Sequence, residues 1–180
     1  CALPISYIFS TENWQRTKSE VNYLMGLVIK ATEKYLDEFV AKDIQIKIIG
    51  SKDNLPKNVL ESIEKVEAKT STNKRGTLAL CFNYGGKDEI VNAVRSIVQD
   101  KVEQSLIDEQ LVDNYLSSGE LPPVDLLIRT SGEQRLSGFL LWKTAYAELF
   151  FTNTLWPDFD SKDVEEALEF YYGRDRRYGI

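Results

Sequence analysis

Histidine is absent from the whole sequence of 180 residues, and its absence excludes several kinds of active site. Without an imidazole base there is no Ser-His-Asp or Cys-His nucleophile system. The same lack argues against a transition-metal centre, because histidine is the commonest ligand of those ions. A magnesium ion held by oxygen atoms remains compatible with the composition.

Cysteine is nearly as scarce, with Cys1 and Cys81 as the only two. Two thiols are too few for a disulfide framework, which indicates a reducing compartment. Long apolar runs are missing as well, since none approaches the roughly 20 residues that a membrane span needs. No stretch has the pattern of a signal peptide. These features together predict a cytoplasmic protein.

Positively charged residues are fewer than negatively charged ones, 22 against 28, so the formal net charge is −6. The broad basic face that nucleic-acid binding requires is therefore not expected. Basic side chains are instead clustered locally, Arg129 with Arg135 and Arg174 with Arg176 and Arg177. An anionic ligand would be held by one of these clusters rather than by the field of the whole protein.

Strand and helix patterns alternate along the chain, which predicts a single α/β domain over residues 1–180. Short apolar or alternating runs predict strands near residues 5–9, 44–49, 77–84, 124–128 and 147–152. Apolar stripes predict helices near residues 19–42, 56–70, 108–116 and 162–172 and from residue 87, with Ser19 capping the first. Such alternation predicts a mainly parallel central sheet flanked by helices.

The most informative segment is the polar loop from Arg129 to Ser137, which directly follows a predicted buried strand. Ligands of α/β domains lie where parallel strands end, and the loop carries two guanidiniums there, Arg129 and Arg135. Each can fork onto phosphate oxygens, while Ser137 and backbone N–H groups fill further acceptor sites. The loop thus predicts binding of a diphosphate or a similarly dense anion. The alternative is a polar turn whose arginines pair with Glu133 and nearby carboxylates.

A second polar segment follows the first predicted strand, so it should lie at the same sheet edge as Arg129. Its candidate site residues are Ser10, Thr11, Glu12, Asn13, Trp14 and Arg16. The alternative is a polar cap on the strand, with Trp14 packed in the core.

Glu148 lies in the mostly apolar stretch 145–151, where an unpaired carboxylate would be unfavourable. It therefore needs a partner. A metal ion is one option, and an ion pair with Arg129 or Arg135 is the other.

Several blocks of the sequence resemble the cis-prenyltransferase family, above all its bacterial undecaprenyl diphosphate synthases. The blocks are Tyr7–Arg16, Asn83–Gly86, Arg129–Ser137, Phe139–Trp142, Ala145–Leu149 and Leu155–Asp160, in the order of the family. The resemblance implies an α/β fold with an apolar tunnel between sheet and helices. It also implies a magnesium-dependent enzyme that condenses isopentenyl diphosphate onto an allylic diphosphate such as farnesyl diphosphate. The product would be a long-chain polyprenyl diphosphate for a cell-wall carrier lipid, whose chain would bring transient membrane-surface contact.

The same resemblance implies a role for each candidate residue. Arg129, Arg135, Leu136 and Ser137 would hold isopentenyl diphosphate, and Ser10, Thr11, Glu12, Trp14 and Arg16 would belong to the substrate site. Asn13 would help to remove the proton in each condensation; because an amide is a poor base, it would position the oxygen that takes the proton. Glu148 would bind Mg²⁺. In a homodimer, Arg177 and Gly179 of the tail would reach the diphosphate site of the partner.

The start of the sequence departs from the family. Relatives carry an Asp-Gly-Asn-Gly-Arg segment whose aspartate binds magnesium, and no such segment is present after Cys1. On this ground we expect an N-terminally truncated domain that could lack activity. Two other functions stay open: a non-catalytic binding subunit that supports a catalytic partner, and an unrelated α/β phosphate-binding protein.

Overall fold

The computed structural model describes residues 3–175, and within them strands and helices alternate as the sequence predicts. The strands are Ile5–Ser10 (β1), Ile44–Ile49 (β2), Gly76–Tyr84 (β3), Leu126–Arg129 (β4) and Glu148–Phe151 (β5). The α-helices are Lys18–Ala41 (α1), Lys57–Thr70 (α2), Gly86–Gln99 (α3), Glu109–Tyr115 (α4) and Ser161–Tyr172 (α5). The predicted α/β class is confirmed.

All strand pairing among the described residues is parallel, as predicted, but the strands form two separate sheets. One sheet has the order β1-β3-β2, and the other consists of β4 and β5. In the first, Ile5 lies opposite Ala79 and Ile49 opposite Cys81. Parallel order brings the carboxyl ends of β1, β2 and β3 to one edge, where the loops that follow them can meet.

A cleft of about 1130 Å³ lies between the two sheets. Residues 3–8 line one side and residues 122–131 line the other, so the cleft separates the outer edge of β1 from β4. Arg129 and Arg135 border it, and Trp156 and α5 contribute further lining side chains.

The core forms where α1 and α2 pack against the three-stranded sheet. Its largest cluster contains Phe9, Val21, Met25, Leu55, Val59, Ile63 and Phe82. The apolar tunnel expected between sheet and helices stays a prediction. On α1, Leu24 packs against this cluster, whereas Leu27 is 41% exposed. By length and hydropathy, none of the helices in residues 3–175 could cross a lipid bilayer.

The first helix begins earlier than predicted, and the expectation that Ser19 caps it is wrong. The N-cap is Thr17, whose Oγ1 accepts a hydrogen bond from the Glu20 N–H at 3.3 Å. Ser19 already lies in the first turn, where its own hydroxyl cannot serve as the cap. The periodicity of apolar residues does not fix the start of a helix to within two residues, so it could not distinguish Thr17 from Ser19 as the N-cap.

A buried carboxylate ties β3 to the chain that leads into β4. Glu89, in the first turn of α3, is only 6% exposed. It accepts hydrogen bonds from the Tyr84 hydroxyl, from Ser117 Oγ at 2.9 Å and from the Ser118 N–H at 2.7 Å. Burial, followed by the bond to Glu89, raises the pKa of Tyr84 far above its ordinary value, so its hydroxyl remains a donor.

We predict that Glu89→Leu lowers the free energy of unfolding by about 3 kcal/mol, because the buried Ser118 N–H and two hydroxyls lose their acceptor. Urea denaturation measures the change. Glu64→Leu, at an exposed position of α2, is the matched control and should change stability by less than about 0.5 kcal/mol. Equal losses in both variants would contradict the role of the buried carboxylate.

Candidate functional site

Three segments that are distant in the sequence meet at the carboxyl edge of the first sheet. They are the 3₁₀ turn Thr11–Gln15 after β1, the Gly85-Gly86 turn after β3, and the loop at residues 130–138 after β4. The N–H of Gly86 donates to the Gly138 carbonyl at 2.8 Å, which joins the second segment to the third. The end of the Arg129 loop, at Gly138, therefore lies at the sheet edge where the first polar segment was predicted.

The two glycines allow this close approach because they have no side chains. A Cβ atom on Gly85 would lie 2.4 Å from Thr11 Oγ1, and one on Gly86 would lie 2.5 Å from the Gly138 carbonyl oxygen. Neither position has room for a side chain. A Cβ on Gly138 would in turn lie 3.9 Å from Glu12 Oε1, which shows how near the turn and the loop are.

Tyr7 supports the same junction from inside β1. Its hydroxyl donates to the Tyr84 carbonyl at 3.0 Å, and its ring stacks on Phe139 with centroids 4.9 Å apart. Burial, and then the negative charge of Glu12, raises the pKa of Tyr7 to about 12. Because the pKa is raised, the contribution of this group to stability is complete below pH 10 and is lost as the pH rises through about 12.

The backbone of the loop presents unused hydrogen-bond donors. The N–H groups of Ser131 and Gly132 are not among them, because they donate to the carbonyls of Thr154 and Thr152. Both residues have positive φ angles, 68° and 70°. In contrast, the N–H groups of residues 133–138 donate no hydrogen bond within the described part of the chain. A run of unpaired N–H groups suits an anion.

The two arginines of the loop differ in their environment. Arg129 is half-buried, and within residues 3–175 its guanidinium forms no ion pair. Arg135 is exposed and pairs with Glu133, as the alternative interpretation of the loop expected. Leu136 is half-buried and Ser137 is exposed, both beside this pair. An exposed pair of this kind contributes only about 0–1 kcal/mol, so an anion could displace Glu133.

Some polar side chains of the turn after β1 already form hydrogen bonds or ion pairs with neighbouring residues. The Ser10 N–H donates to Asn13 Oδ1 at 2.8 Å, which leaves the Asn13 amide nitrogen as the group that can contact a ligand. Arg16 pairs with Glu20 at 2.6 Å, and Thr11 lies within 3.5 Å of Glu12 Oε2. The turn therefore offers an amide donor, a hydroxyl and a carboxylate beside the loop.

Trp14 is held by a contact that the sequence did not predict. Its indole N–H donates to Asn83 Oδ1 at 2.7 Å, and its ring meets Phe9 edge-on at 5.4 Å. The only signal for Asn83 was its place in the Asn83–Gly86 block, at the end of a predicted strand. The alternative prediction, that Trp14 packs in the core, is confirmed too, because its side chain packs against the largest core cluster.

The structure does not bring Glu148 to the loop. It is at the first position of β5, opposite Leu126, about 10 Å along the strands from the level of Arg129. The alternative of an ion pair with Arg129 or Arg135 is wrong, because Glu148 Oε2 accepts from Arg174 Nε at 3.0 Å. Arg174 lies two residues after the end of α5. The sequence around Glu148 contains no signal for a partner so far along the chain.

Within the described residues, no group of three acidic or cysteine side chains could hold a metal ion. Glu148 contributes one carboxylate, and that carboxylate is already paired. A magnesium ion here would need most of its oxygen ligands from substrate and water. Arg177 and Gly179, predicted to contact a partner subunit, lie outside the described residues.

The structure is an α/β domain with parallel sheets, flanking helices and a polar site where the strands end. Comparison with known proteins places this domain in the prenyltransferase class. The sequence model of the family described as putative undecaprenyl diphosphate synthase matches residues 5–179. The chain belongs to this family of isoprenyl transferases.

Individual relatives agree with this assignment. The isoprenyl transferase of Treponema denticola is 47% identical over 173 residues, which cover 96% of this chain and 75% of the relative. That of Thermotoga maritima is 43% identical, with 97% and 76% covered. Lavandulyl diphosphate synthase from Lavandula x intermedia, solved in complex with dimethylallyl diphosphate, superposes with a TM-score of 0.93 at 34% identity, covering 99% of this chain and 79% of the neighbour. A probable undecaprenyl diphosphate synthase from Campylobacter jejuni gives 0.89 at 31% identity, with 99% and 84% covered.

We predict opposite effects for two glycine-to-alanine changes at helical positions. Gly86→Ala should lower the free energy of unfolding by about 1–3 kcal/mol, because its methyl group collides with the Gly138 carbonyl and with Leu141. Gly26→Ala, in α1 with nothing within 4 Å, should raise it by about 0.5–1 kcal/mol. Thermal and urea unfolding measure both. A neutral Gly86→Ala would show that the loop does not depend on this contact.

Proposed function

We propose that this protein is a cis-prenyltransferase that condenses isopentenyl diphosphate onto an allylic diphosphate. The observation that carries the proposal lies in the loop after β4, where, within residues 3–175, the N–H groups of residues 133–138 donate no hydrogen bond and the guanidinium of Arg129 forms no ion pair. Gly138, at the end of this run, lies close to Glu12 of the turn after β1, so an anion bound by the loop would lie near that turn. Membership of the isoprenyl transferase family supports the same reaction.

The loop would bind the diphosphate of isopentenyl diphosphate. Arg129 would fork onto two phosphate oxygens, and Arg135 would join it after leaving Glu133. The Ser137 hydroxyl and the backbone donors would satisfy further oxygens. Leu136 would contact the apolar part of the substrate at the edge of the cleft.

The turn after β1 would contact the substrates where the new bond forms. In the condensation, the allylic C–O bond breaks and the diphosphate leaves with the electron pair. The double bond of isopentenyl diphosphate then attacks the allylic carbon, and a proton is lost to give the new olefin. Because Asn13 Oδ1 is bonded to the Ser10 N–H, its amide nitrogen would hold the diphosphate oxygen or water that takes this proton. Ser10, Thr11, Glu12, Trp14 and Arg16 would complete the surroundings of the substrate.

The allylic substrate and product length are narrower parts of the proposal. A similar structure was solved with dimethylallyl diphosphate, which supports an allylic diphosphate as the second substrate. Farnesyl diphosphate as primer, and a long polyprenyl product for a cell-wall carrier, follow from the resemblance to undecaprenyl diphosphate synthases. The homodimer, the cytoplasmic location and the membrane-surface contact stay predictions of the sequence.

Incorporation of labelled isopentenyl diphosphate into solvent-extractable product, with farnesyl diphosphate and magnesium, tests the proposal. Calorimetry should show that Arg129→Gln weakens isopentenyl diphosphate binding by about tenfold to a hundredfold, because a charge-assisted double hydrogen bond is lost. Arg95→Gln is the matched control, since Arg95 lies on α3 and bonds to Asn92.

The outcomes separate three functions. Incorporation that depends on Arg129 supports the enzyme. Binding without incorporation would favour the non-catalytic subunit, and binding of sugar phosphates with no affinity for prenyl diphosphates would indicate an unrelated phosphate-binding protein.

We also propose that the reaction depends on Mg²⁺ and that Glu148 supplies a ligand when Arg174 moves away. Bound magnesium would neutralise the charge of the leaving diphosphate. Glu148→Gln should then abolish magnesium-dependent incorporation and weaken magnesium binding measured by calorimetry with diphosphate present. Arg174→Ala is the control: if Glu148→Gln acted only by breaking the ion pair, both variants would lose activity equally, and the metal role would be refuted.

A further inference from the structure

We propose that Asn83 is a positioning residue, which holds the indole of Trp14 and thereby the turn that carries Asn13. The inference rests on the proposed function, because Trp14 and Asn13 are candidate substrate contacts there. Asn83 itself is only 4% exposed and does not need to touch a ligand. Its side chain is the part of β3 that joins the turn after β1 to the loop after β2.

The geometry uses every hydrogen-bonding group of the side chain. Oδ1 accepts from Trp14 Nε1 at 2.7 Å, and Nδ2 donates to the carbonyls of Ser51 at 2.9 Å and Asp53 at 3.0 Å. The backbone adds a fourth contact, since the Ser51 N–H donates to the Asn83 carbonyl at 3.1 Å. One buried side chain thus connects residues that lie 69 and 32 positions away in the sequence.

Only an amide of this length satisfies the site. A carboxylate could accept from the indole but could not donate to two carbonyls, and an apolar residue could do neither. The backbone adds a further requirement, because Asn83 has φ 49°, in the left-handed region that asparagine tolerates better than most residues. A buried, strained residue with satisfied polar atoms is typical of positions that fix a functional site.

The arrangement determines where Trp14 can point. Its ring is held on one side by Phe9 and at the N–H by Asn83. Trp14 directly follows Asn13 in the 3₁₀ turn, so a displacement of the indole would shift the backbone that also carries Asn13. Loss of the Asn83 amide should therefore change ligand binding and not only stability.

The test uses Asn83→Gly, because glycine keeps the left-handed backbone and removes only the amide. Trp142 and Trp156 are first changed to phenylalanine, so that Trp14 is the only tryptophan, and it is excited at a wavelength that the nine tyrosines do not absorb. We expect Asn83→Gly to raise the acrylamide quenching constant of Trp14 at least about twofold, since the indole loses its partner. Asn54→Gly is the matched control, because Asn54 also has a positive φ, 61°, but is exposed; it should leave quenching unchanged.

A double-mutant cycle on farnesyl diphosphate affinity separates positioning from a general loss of structure. Asn83→Gly and Trp14→Phe should each weaken binding by about tenfold, and the double variant should be no weaker than either alone. Losses that multiply, or a Trp14 quenching constant that does not change, would overturn the proposal. If the unaltered protein bound no farnesyl diphosphate, the proposed function would fail, while the quenching experiment would still decide whether Asn83 holds the indole.

Discussion

The rest of the site depends on the close packing of backbone at the turn from β3 into α3. β3 is the central strand of its sheet, so its carboxyl end has neighbours on both sides. The glycines at 85 and 86 let Thr11 and the Gly138 carbonyl approach to distances that no side chain would permit. Asn83, just before them, takes up the indole of Trp14. The carboxyl end of β3 and the turn that follows it therefore contact both the turn after β1 and the loop after β4.

Charge is arranged locally in a protein whose net charge is negative. Arg129 has no ion-pair partner within residues 3–175, whereas Arg135 already has Glu133 and Glu148 already has Arg174. Exposed pairs contribute little to stability, so Arg135 can exchange Glu133 for another partner at little cost in free energy. Glu148 is less exposed than Glu133, so its carboxylate depends more on having a partner, which in this structure is Arg174.

Local signals were sufficient for most of the fold. Periods of two and 3.6 residues located the strands and helices, and their alternation predicted parallel pairing. They did not distinguish Thr17 from Ser19 as the first N-cap, nor reveal that β4 and β5 form a sheet of their own. Periodicity reports which face of an element is buried, and it contains no information on which strand edges become hydrogen-bonded.

The sequence by itself determined the kinds of groups at the site: two arginines and a run of backbone donors after one strand, an amide and a tryptophan after another. Only the tertiary structure decided which of them act together. Trp14 meets Asn83 across 69 residues, and Glu148 meets Arg174 rather than Arg129. The physical reason is that hydrogen bonds and ion pairs are short-ranged, so their partners are settled by packing after the elements have formed.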